Sequence, residues 1–184
     1  MTEKYFDELP HSEIEVDEQL TLRQLHLDEA EQLFKLIDKD RDYLKKWLPW
    51  VDSTESPKDS EQFISDNIQK SQDGTEYGYG IVVDGELKGH ISLMHINDGS
   101  DPEIGCWIAS SMSGQGISTK AGRALTEFGF NTLGLGKIII KADPKNIGSN
   151  KIAEKLGYKL IRQEHDDRIG NANVYSLDRS ESNN

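Results

Sequence analysis

The hydrophobic positions of this chain follow two periods, which alternate along the sequence. Short apolar or alternating runs predict strands at residues 19–24, 77–83, 86–94, 103–109 and 137–142, with a closing pair near 159–164 and 173–177. A spacing near 3.6 predicts helices, the first of which carries Ala30, Leu33, Phe34 and Ile37 on one face. The pattern is typical of an α+β protein.

Turn and breaker residues mark the ends of these elements. Asp84 and Gly85 separate two strand patterns by two residues, which predicts a type I′ hairpin. A short helix is expected over residues 41–50, and a longer one has Pro57 in its first turn. The longer helix is expected to turn Phe63, Ile64 and Ile68 inward.

The predicted order is a strand, two helices, three strands, a helix, a strand, a helix and two strands. A length of 184 residues fits one domain. We expect an N-terminal arm over residues 1–13, a single domain over 14–178 and a tail over 179–184.

Composition narrows the classes of partner. The formal net charge of −12 disfavours binding to nucleic acid, whose phosphates it would repel. An acidic surface suits a cationic acceptor, although it equally serves solubility. No apolar run reaches the roughly 18 residues of a membrane span, and the N-terminus has no signal-peptide pattern, so we expect a cytoplasmic protein without a membrane partner.

Metal and thiol chemistry find little support. Cys106 is the only cysteine, and the five histidines show no ligand spacing, so no metal site is expected. Cys106 lies in an apolar strand and is expected to be a small buried hydrophobe rather than a nucleophile.

A glycine-rich loop carries the strongest chemical signal. Gly114 and Gly116 allow a tight turn with exposed N–H groups, and an amphipathic helix follows at once. A helix N-terminus adds the positive end of its dipole. The segment therefore predicts a phosphate or pyrophosphate socket, without the Lys-Ser/Thr pair of a Walker loop or the three glycines of a Rossmann fingerprint.

Two motifs in order resemble the GNAT acetyltransferase superfamily. Gly114-Gln115-Gly116 resembles its pyrophosphate loop, and residues 146–158, with Asn146, Ser149 and Lys155-Leu-Gly-Tyr158, resemble its Asn-x-x-Ser and Lys-Leu-Gly-Phe/Tyr signature. Residues 22–25, 44–50 and 89–93 look like the RimJ/RimL branch, which acetylates N-termini of ribosomal proteins. The resemblance covers roughly residues 14–178 and implies the GNAT fold, a three-layer arrangement whose mixed, mostly antiparallel sheet is flanked by helices.

The resemblance also implies a site. Acetyl-CoA would be the cosubstrate, held by the strand end and loop, namely Trp107, Ile108, Ala109, Gly114, Gln115, Gly116, Ile117 and Ser118, together with Asn146 and Ser149. Ser149 would be the catalytic group beside the sulfur, although it also suits helix capping. Glu103 would be the catalytic base, with His90 and His95 as alternatives, and Trp47 and Trp50 would line the acceptor pocket.

The resemblance implies direct transfer to a primary amine in a ternary complex. The expected acceptor is the N-terminal α-amine of a protein. Two alternatives stay open, a small amine such as a polyamine or aminoglycoside, and a non-catalytic acyl-CoA-binding domain. Homodimers occur in the family, but no interface is visible in the sequence.

Overall fold

Eight strands form one sheet in the order β1-β2-β3-β4-β5-β6-β8-β7, and the computed structural model describes residues 11–182. The strands are β1 (Glu13–Glu15), β2 (Leu20–Arg23), β3 (Tyr77–Val83), β4 (Glu86–Met94), β5 (Glu103–Ile108), β6 (Lys137–Ala142), β7 (Lys159–Asp166) and β8 (Gly170–Asp178). Every neighbouring pair is antiparallel except β5 and β6. The predicted arm over residues 1–13 lies outside the described residues up to position 10, as do residues 183–184 of the predicted tail.

Helices cover both faces of the sheet. They are α1 (Ala30–Lys39), α2 (Arg41–Leu44), α3 (Pro57–Gln72), α4 (Ile117–Asn131) and α5 (Ile147–Lys155). One core lies between the sheet and α4 and α5, and includes Leu93, Leu125 and Ile138. A second core lies between the opposite face and α1 and α3, and includes Leu33 and Ile64. The predicted three layers, a mixed and mostly antiparallel sheet flanked by helices, are thus confirmed.

The predicted order of elements is confirmed, since the additional elements are short. The β3–β4 hairpin has the predicted bounds, and Asp84 and Gly85 both have positive φ angles, of 50° and 79°. These angles are what a type I′ turn requires. Helix α3 begins at Pro57, with Ser56 and Asp59 forming a capping box before it.

Two local predictions were wrong. The expected helix over residues 41–50 is divided into α2 and a 3-10 helix, Pro49–Ser53, because Pro49 begins a helical turn rather than ending one. Phe63 does not point into the core as Ile64 does. Its side chain is 40% exposed and lines a cavity instead.

Candidate active site

The parallel strands β5 and β6 touch at one end only. A single pair of residues, Glu103 and Ile139, is in ladder register, and Ile139 N–H donates to the Pro102 carbonyl at 2.8 Å. Beyond that pair the strands separate, so that a gap opens toward their C-terminal ends.

The gap exposes backbone amides of β5. The Ala109 N–H donates to the Lys88 carbonyl on β4 at 2.7 Å. Because successive amides of a strand point to opposite edges, the N–H groups of Ile108 and Cys106 point away from β4 and toward the gap. These amides are suited to bind an extended amide-containing chain, such as the pantetheine arm of CoA.

Cys106 is exposed in this gap, so the expectation of a buried cysteine was wrong. Desolvation by the surrounding protein nevertheless raises the pKa of the thiol to about 12, and a hydrogen bond with Ser118 acts in the opposite direction. The thiol stays protonated near neutral pH, and a covalent acyl-cysteine has no support.

The glycine loop lies at the open end of the gap. Gly114 and Gly116 have φ angles of 77° and 79°, which other residues rarely adopt, and Gly116 is the N-cap residue of α4. No atom lies within 4 Å of a Cβ built on either glycine, so the turn faces open space. With the free N–H groups of the first turn of α4, this loop fits a pyrophosphate.

A long-range contact holds the start of the loop. The Asp40 carboxylate, between α1 and α2, accepts hydrogen bonds from the Ser110 N–H at 2.6 Å and from its hydroxyl at 2.8 Å. The Gln115 side chain folds back and donates to the Ser111 carbonyl at 2.8 Å. Gln115 therefore stabilises the turn rather than extending toward a ligand.

Basic side chains near the loop are mostly engaged elsewhere. Lys120 in α4 pairs with Asp17 at 2.7 Å, and Arg23 pairs with Glu29 at 2.6 Å. Arg123 makes only a long contact to the Lys155 carbonyl, at 3.5 Å. Main-chain N–H groups are thus the main anion-binding feature of this site.

Helix α5 starts beyond the C-terminal end of β6, at the same edge of the sheet as α4. The Asn146 side chain caps it by accepting a hydrogen bond from the Ser149 N–H at 3.2 Å. The half-buried Ser149 hydroxyl makes no hydrogen bond with any residue from 11 to 182. Asn150 anchors the helix, because its amide oxygen accepts from Asn173 at 2.8 Å and from Tyr175 at 2.7 Å.

Glu103 lies at the joined end of β5 and β6, within an ion cluster. The residue is 5% exposed, and its two carboxylate oxygens accept from Arg168 Nη2 at 3.0 and 2.9 Å. Lys141 lies 4.0 Å from Glu103 and also contacts Glu164 at 2.9 Å and Asp166 at 3.1 Å. The cluster joins the β7–β8 turn to the base of the gap.

The two cations of the cluster favour the ionised form of Asp166. Burial opposes ionisation of Asp166, but hydrogen bonds from Arg168 and Lys141 outweigh it and hold the pKa of this carboxyl well below its usual range. The pKa of Arg168 is raised above its ordinary value, chiefly by its hydrogen bond to Asp166. Both cations therefore remain charged beside Glu103.

The environments of His90 and His95, the alternative candidates for the catalytic base, do not favour that role. Burial lowers the pKa of His90 to about 3, which makes its ring a weak base, and the ring packs edge-on against Phe63. His95 pairs with Asp98 at 2.8 Å in the β4–β5 turn. Of the three candidate bases, Glu103 is the one at the joined end of β5 and β6.

A cavity of about 260 Å³ lies on the face of the sheet covered by α1 and α3. Its lining consists of Leu33, Ile37, Trp50, Ser53, Thr54, Asp59, Ser60, Phe63 and Trp107.

The predicted substrate residue Trp50 lines this cavity, with its ring 6.0 Å from that of Trp107. Trp47 is half-buried and is not part of the lining. Trp107, predicted to hold the cofactor, turns its side chain into this cavity, which leaves only its main chain near the gap.

Comparison with known proteins decides the family. Residues 19–159 match the family described as acetyltransferase (GNAT) domain. The chain belongs to this family. It is 34% identical to YdaF of Bacillus subtilis (strain 168) over 145 residues, which cover 78% of this chain and 79% of YdaF. It is 30% identical to the ribosomal-protein-serine acetyltransferase of Escherichia coli (strain K12) over 148 residues, 80% of this chain and 83% of that protein.

A solved structure supports the cosubstrate. The microcin C7 self-immunity acetyltransferase MccE, in complex with acetyl-CoA and AMP, has a TM-score of 0.84 and 25% identity, covering 92% of this chain and 98% of that chain. This protein is thus an N-acetyltransferase that uses acetyl-CoA. In the described part of the chain, no helix is long and apolar enough to cross a membrane, and no three potential ligand side chains are grouped as for a metal ion.

Several residues of the candidate site were not predicted from the sequence. Lys141, Glu164, Asp166 and Arg168 are brought to Glu103 only by the pairing of β6, β7 and β8. The Asp40 contact spans 70 residues. The one available signal was the alternation of acids and bases from Arg162 to Arg168, which is also typical of an exposed hairpin.

The glycine loop gives a direct test of cofactor binding. Gly116→Trp should weaken acetyl-CoA binding more than tenfold in calorimetry, because a side chain there would fill the space before the α4 N-terminus. Gly99→Trp is the matched control, since Gly99 also has a positive φ, of 90°, and open space around its Cβ position, but lies in the β4–β5 turn. Equal affinities of the two variants would contradict the placement of the pyrophosphate.

Proposed function

We propose that this enzyme acetylates the N-terminal α-amine of a protein, of the ribosomal-protein type. The proposal rests on one observation. A nearly neutral ion cluster, the one around Glu103 and Arg168, and an apolar cavity are both present on one face of the sheet. The ribosomal-protein-serine acetyltransferase among the relatives supports the same acceptor class. Acetyl-CoA and newly made ribosomal proteins share the cytoplasm, which is the proposed location.

The charge balance favours a singly charged acceptor. Glu103, Glu164 and Asp166 face Lys141 and Arg168, an excess of one negative charge, and Arg162 pairs with Glu164 from outside at 2.7 Å. A polyamine or aminoglycoside carries several positive charges and needs several unpaired carboxylates. A peptide N-terminus brings one ammonium group together with side chains for the apolar cavity.

The proposed reaction is direct transfer. Acetyl-CoA supplies an acetyl group already activated as a thioester. The chain contributes orientation, because main-chain amides of β5 and of the glycine loop fix one reactant while the cavity fixes the other. Overall, the amine nitrogen gains the acetyl group and loses one proton, and the departing sulfur gains one.

Two residues are proposed to move these protons. Glu103 would accept the proton of the amine, through water, at the joined end of the gap. The Ser149 hydroxyl, which has no partner among the described residues, would donate to the sulfur. Asn146 would keep its capping role, which holds the first turn of α5 in position. A homodimer and the absence of a nucleic-acid partner stay predictions.

The acceptor assignment is tested by CoA release with peptides beginning with serine or alanine, beside spermidine and an aminoglycoside. We expect turnover with the peptides, and mass spectrometry should place the acetyl group on the α-amine. The matched control is the same peptide with a blocked α-amine and a free lysine, which should not react. Turnover confined to the small amines would reject the N-terminal acceptor. Tight acetyl-CoA binding without any turnover would favour a non-catalytic domain.

Ser149→Ala should lower kcat by roughly 100-fold, a magnitude typical of general acid–base catalysis, without changing thermal stability. Stability should be kept because Asn146 caps the helix through the main-chain N–H of residue 149, which alanine retains. Steady-state kinetics and a thermal melt check both expectations. Full activity of this variant would remove Ser149 from the chemistry.

Glu103→Gln should lower kcat roughly 100-fold, since an amide cannot take up the proton. Glu164→Gln is the matched control, because it removes a charge from the same cluster at a more exposed position. If the control loses more activity than Glu103→Gln, the base is Glu164 and the proposed role of Glu103 is wrong.

A further inference from the structure

Gly105 lies in the middle of β5, on the face of the sheet under α1 and α3, which we call the acceptor face. Its neighbour Ile104 packs in the opposite core, and successive residues of a strand face opposite sides of a sheet. Glu103, Gly105 and Trp107 therefore share the acceptor face. At roughly 3.3 Å per residue, Gly105 is about 7 Å along the strand from the proposed base and equally far from the cavity wall.

The space above Gly105 is open. A Cβ built on this glycine meets one atom within 4 Å, the Cε of Met94 at 3.0 Å, and methionine is a flexible side chain that can move aside. Gly105 is not among the glycines with positive φ, so its backbone does not require glycine. Glycine inside a strand often marks a place where a ligand or another backbone approaches closely.

Ser92 lies beside Gly105 on β4, in ladder register with it. The residue is 6% exposed, and its hydroxyl makes no hydrogen bond with any residue from 11 to 182. Polar atoms of Gln24 and Ser60 also lack partners, but those atoms are fully enclosed, whereas the Ser92 oxygen keeps some accessible surface. A nearly buried hydroxyl without a partner destabilises the fold, and a ligand that bonds to it would remove that cost.

The open side of Ser92 is the side of Gly105. On its other side Ser92 is in register with Gly78 of β3, and the Asn67 side chain of α3 packs so closely on Gly78 that a Cβ would not fit there. Gly78, Ser92 and Gly105 thus form a row of small residues across three strands. Helix α3 covers one end of this row, and the other end is open.

The open end of the row adjoins the closed end of the gap. Because β5 and β6 join at Glu103 and Ile139, an extended chain that enters from the glycine loop cannot pass that pair. The last part of the gap that such a chain can occupy therefore lies beside Gly105. An amine placed on Gly105 would be next to this part of the gap and two residues along the strand from Glu103.

We propose that the first residue of the acceptor peptide lies on Gly105, with its side chain in the space of the missing Cβ, and that the Ser92 hydroxyl bonds to the side-chain hydroxyl of an N-terminal serine. The inference rests on the proposed function, which it narrows from serine or alanine to a preference for serine. Gly105 determines the size of the first residue and Ser92 its polarity. Both are specificity-determining residues.

The test compares kcat/KM of the full-length enzyme for peptides that begin with serine, alanine or glycine and are otherwise identical. One hydrogen bond should favour serine over alanine about 3- to 10-fold in the wild type. In Ser92→Ala this ratio should fall to about 1, while the alanine/glycine ratio persists. In Gly105→Ala the added methyl group competes with the first side chain, so the alanine/glycine ratio should fall about tenfold.

Ser176→Ala and Gly136→Ala are the matched controls. Ser176 lies on the acceptor face, is 7% exposed and makes no hydrogen bond within the described residues, but it belongs to β8, beyond β6. Gly136 has no positive φ and has open space around its Cβ position, but it precedes β6. Both ratios should keep their wild-type values in the controls. Thermal melting and acetyl-CoA affinity should match the wild type in all four variants.

Each outcome bears on a different part of the inference. Acetylation of the α-amine with unchanged ratios in Ser92→Ala and Gly105→Ala overturns the inference and leaves the N-terminal function in place. An equal loss of the serine/alanine ratio in Ser176→Ala overturns the role of Ser92. If Gly105→Ala does not fold, Ser92→Ala, which removes a single oxygen, decides alone. If no peptide reacts, the proposed function falls and this inference falls with it.

Discussion

The single ladder contact between Glu103 and Ile139 is the constraint on which the site depends. Parallel strands normally continue their pairing, because unpaired main-chain groups between them lose hydrogen bonds. Here β5 and β6 separate after one pair, and each strand is fixed on its other side by an antiparallel partner, β4 or β8. The gap is therefore rigidly bordered, and its amides are available to a ligand. The glycine loop and the N-terminus of α5 follow directly from the two strand ends.

The ion cluster stabilises the closed end of this gap. Buried charges are costly unless they are paired, and Glu103 and Asp166 are paired with Arg168 and Lys141. Arg168 reaches Glu103 across 65 positions of sequence, so the β7–β8 turn is held against the base of β5. The same pairs leave little net charge for a polycation. The side chains that stabilise this end of the sheet are thus also those on which the proposed acceptor selectivity would depend.

The two faces of the sheet carry different parts of the candidate site. The face under α4 and α5 presents the glycine loop, Ser149 and the Cys106 thiol, whereas the face under α1 and α3 presents Trp50, Trp107 and Phe63. Asp40 links the two faces of the sheet. It lies at the end of α1, and its carboxylate accepts a hydrogen bond from Ser110 at the start of the glycine loop. Neighbouring Arg41 binds the Val51 and Thr54 carbonyls at 2.6 and 2.7 Å and so fixes the cavity wall.

Local signals in the sequence determined the element order, the Asp84–Gly85 hairpin, the glycine loop and the capping of α5, because each depends on residues within a few positions of one another. The motif pair likewise indicated the family and its cosubstrate. Only the tertiary structure decided that Cys106 is exposed, that Trp107 and Phe63 line the cavity under α1 and α3, and that Glu103 is bound by Arg168. These facts depend on where β5 and β6 separate and on contacts across 65 or 70 residues, and no local pattern encodes such distances.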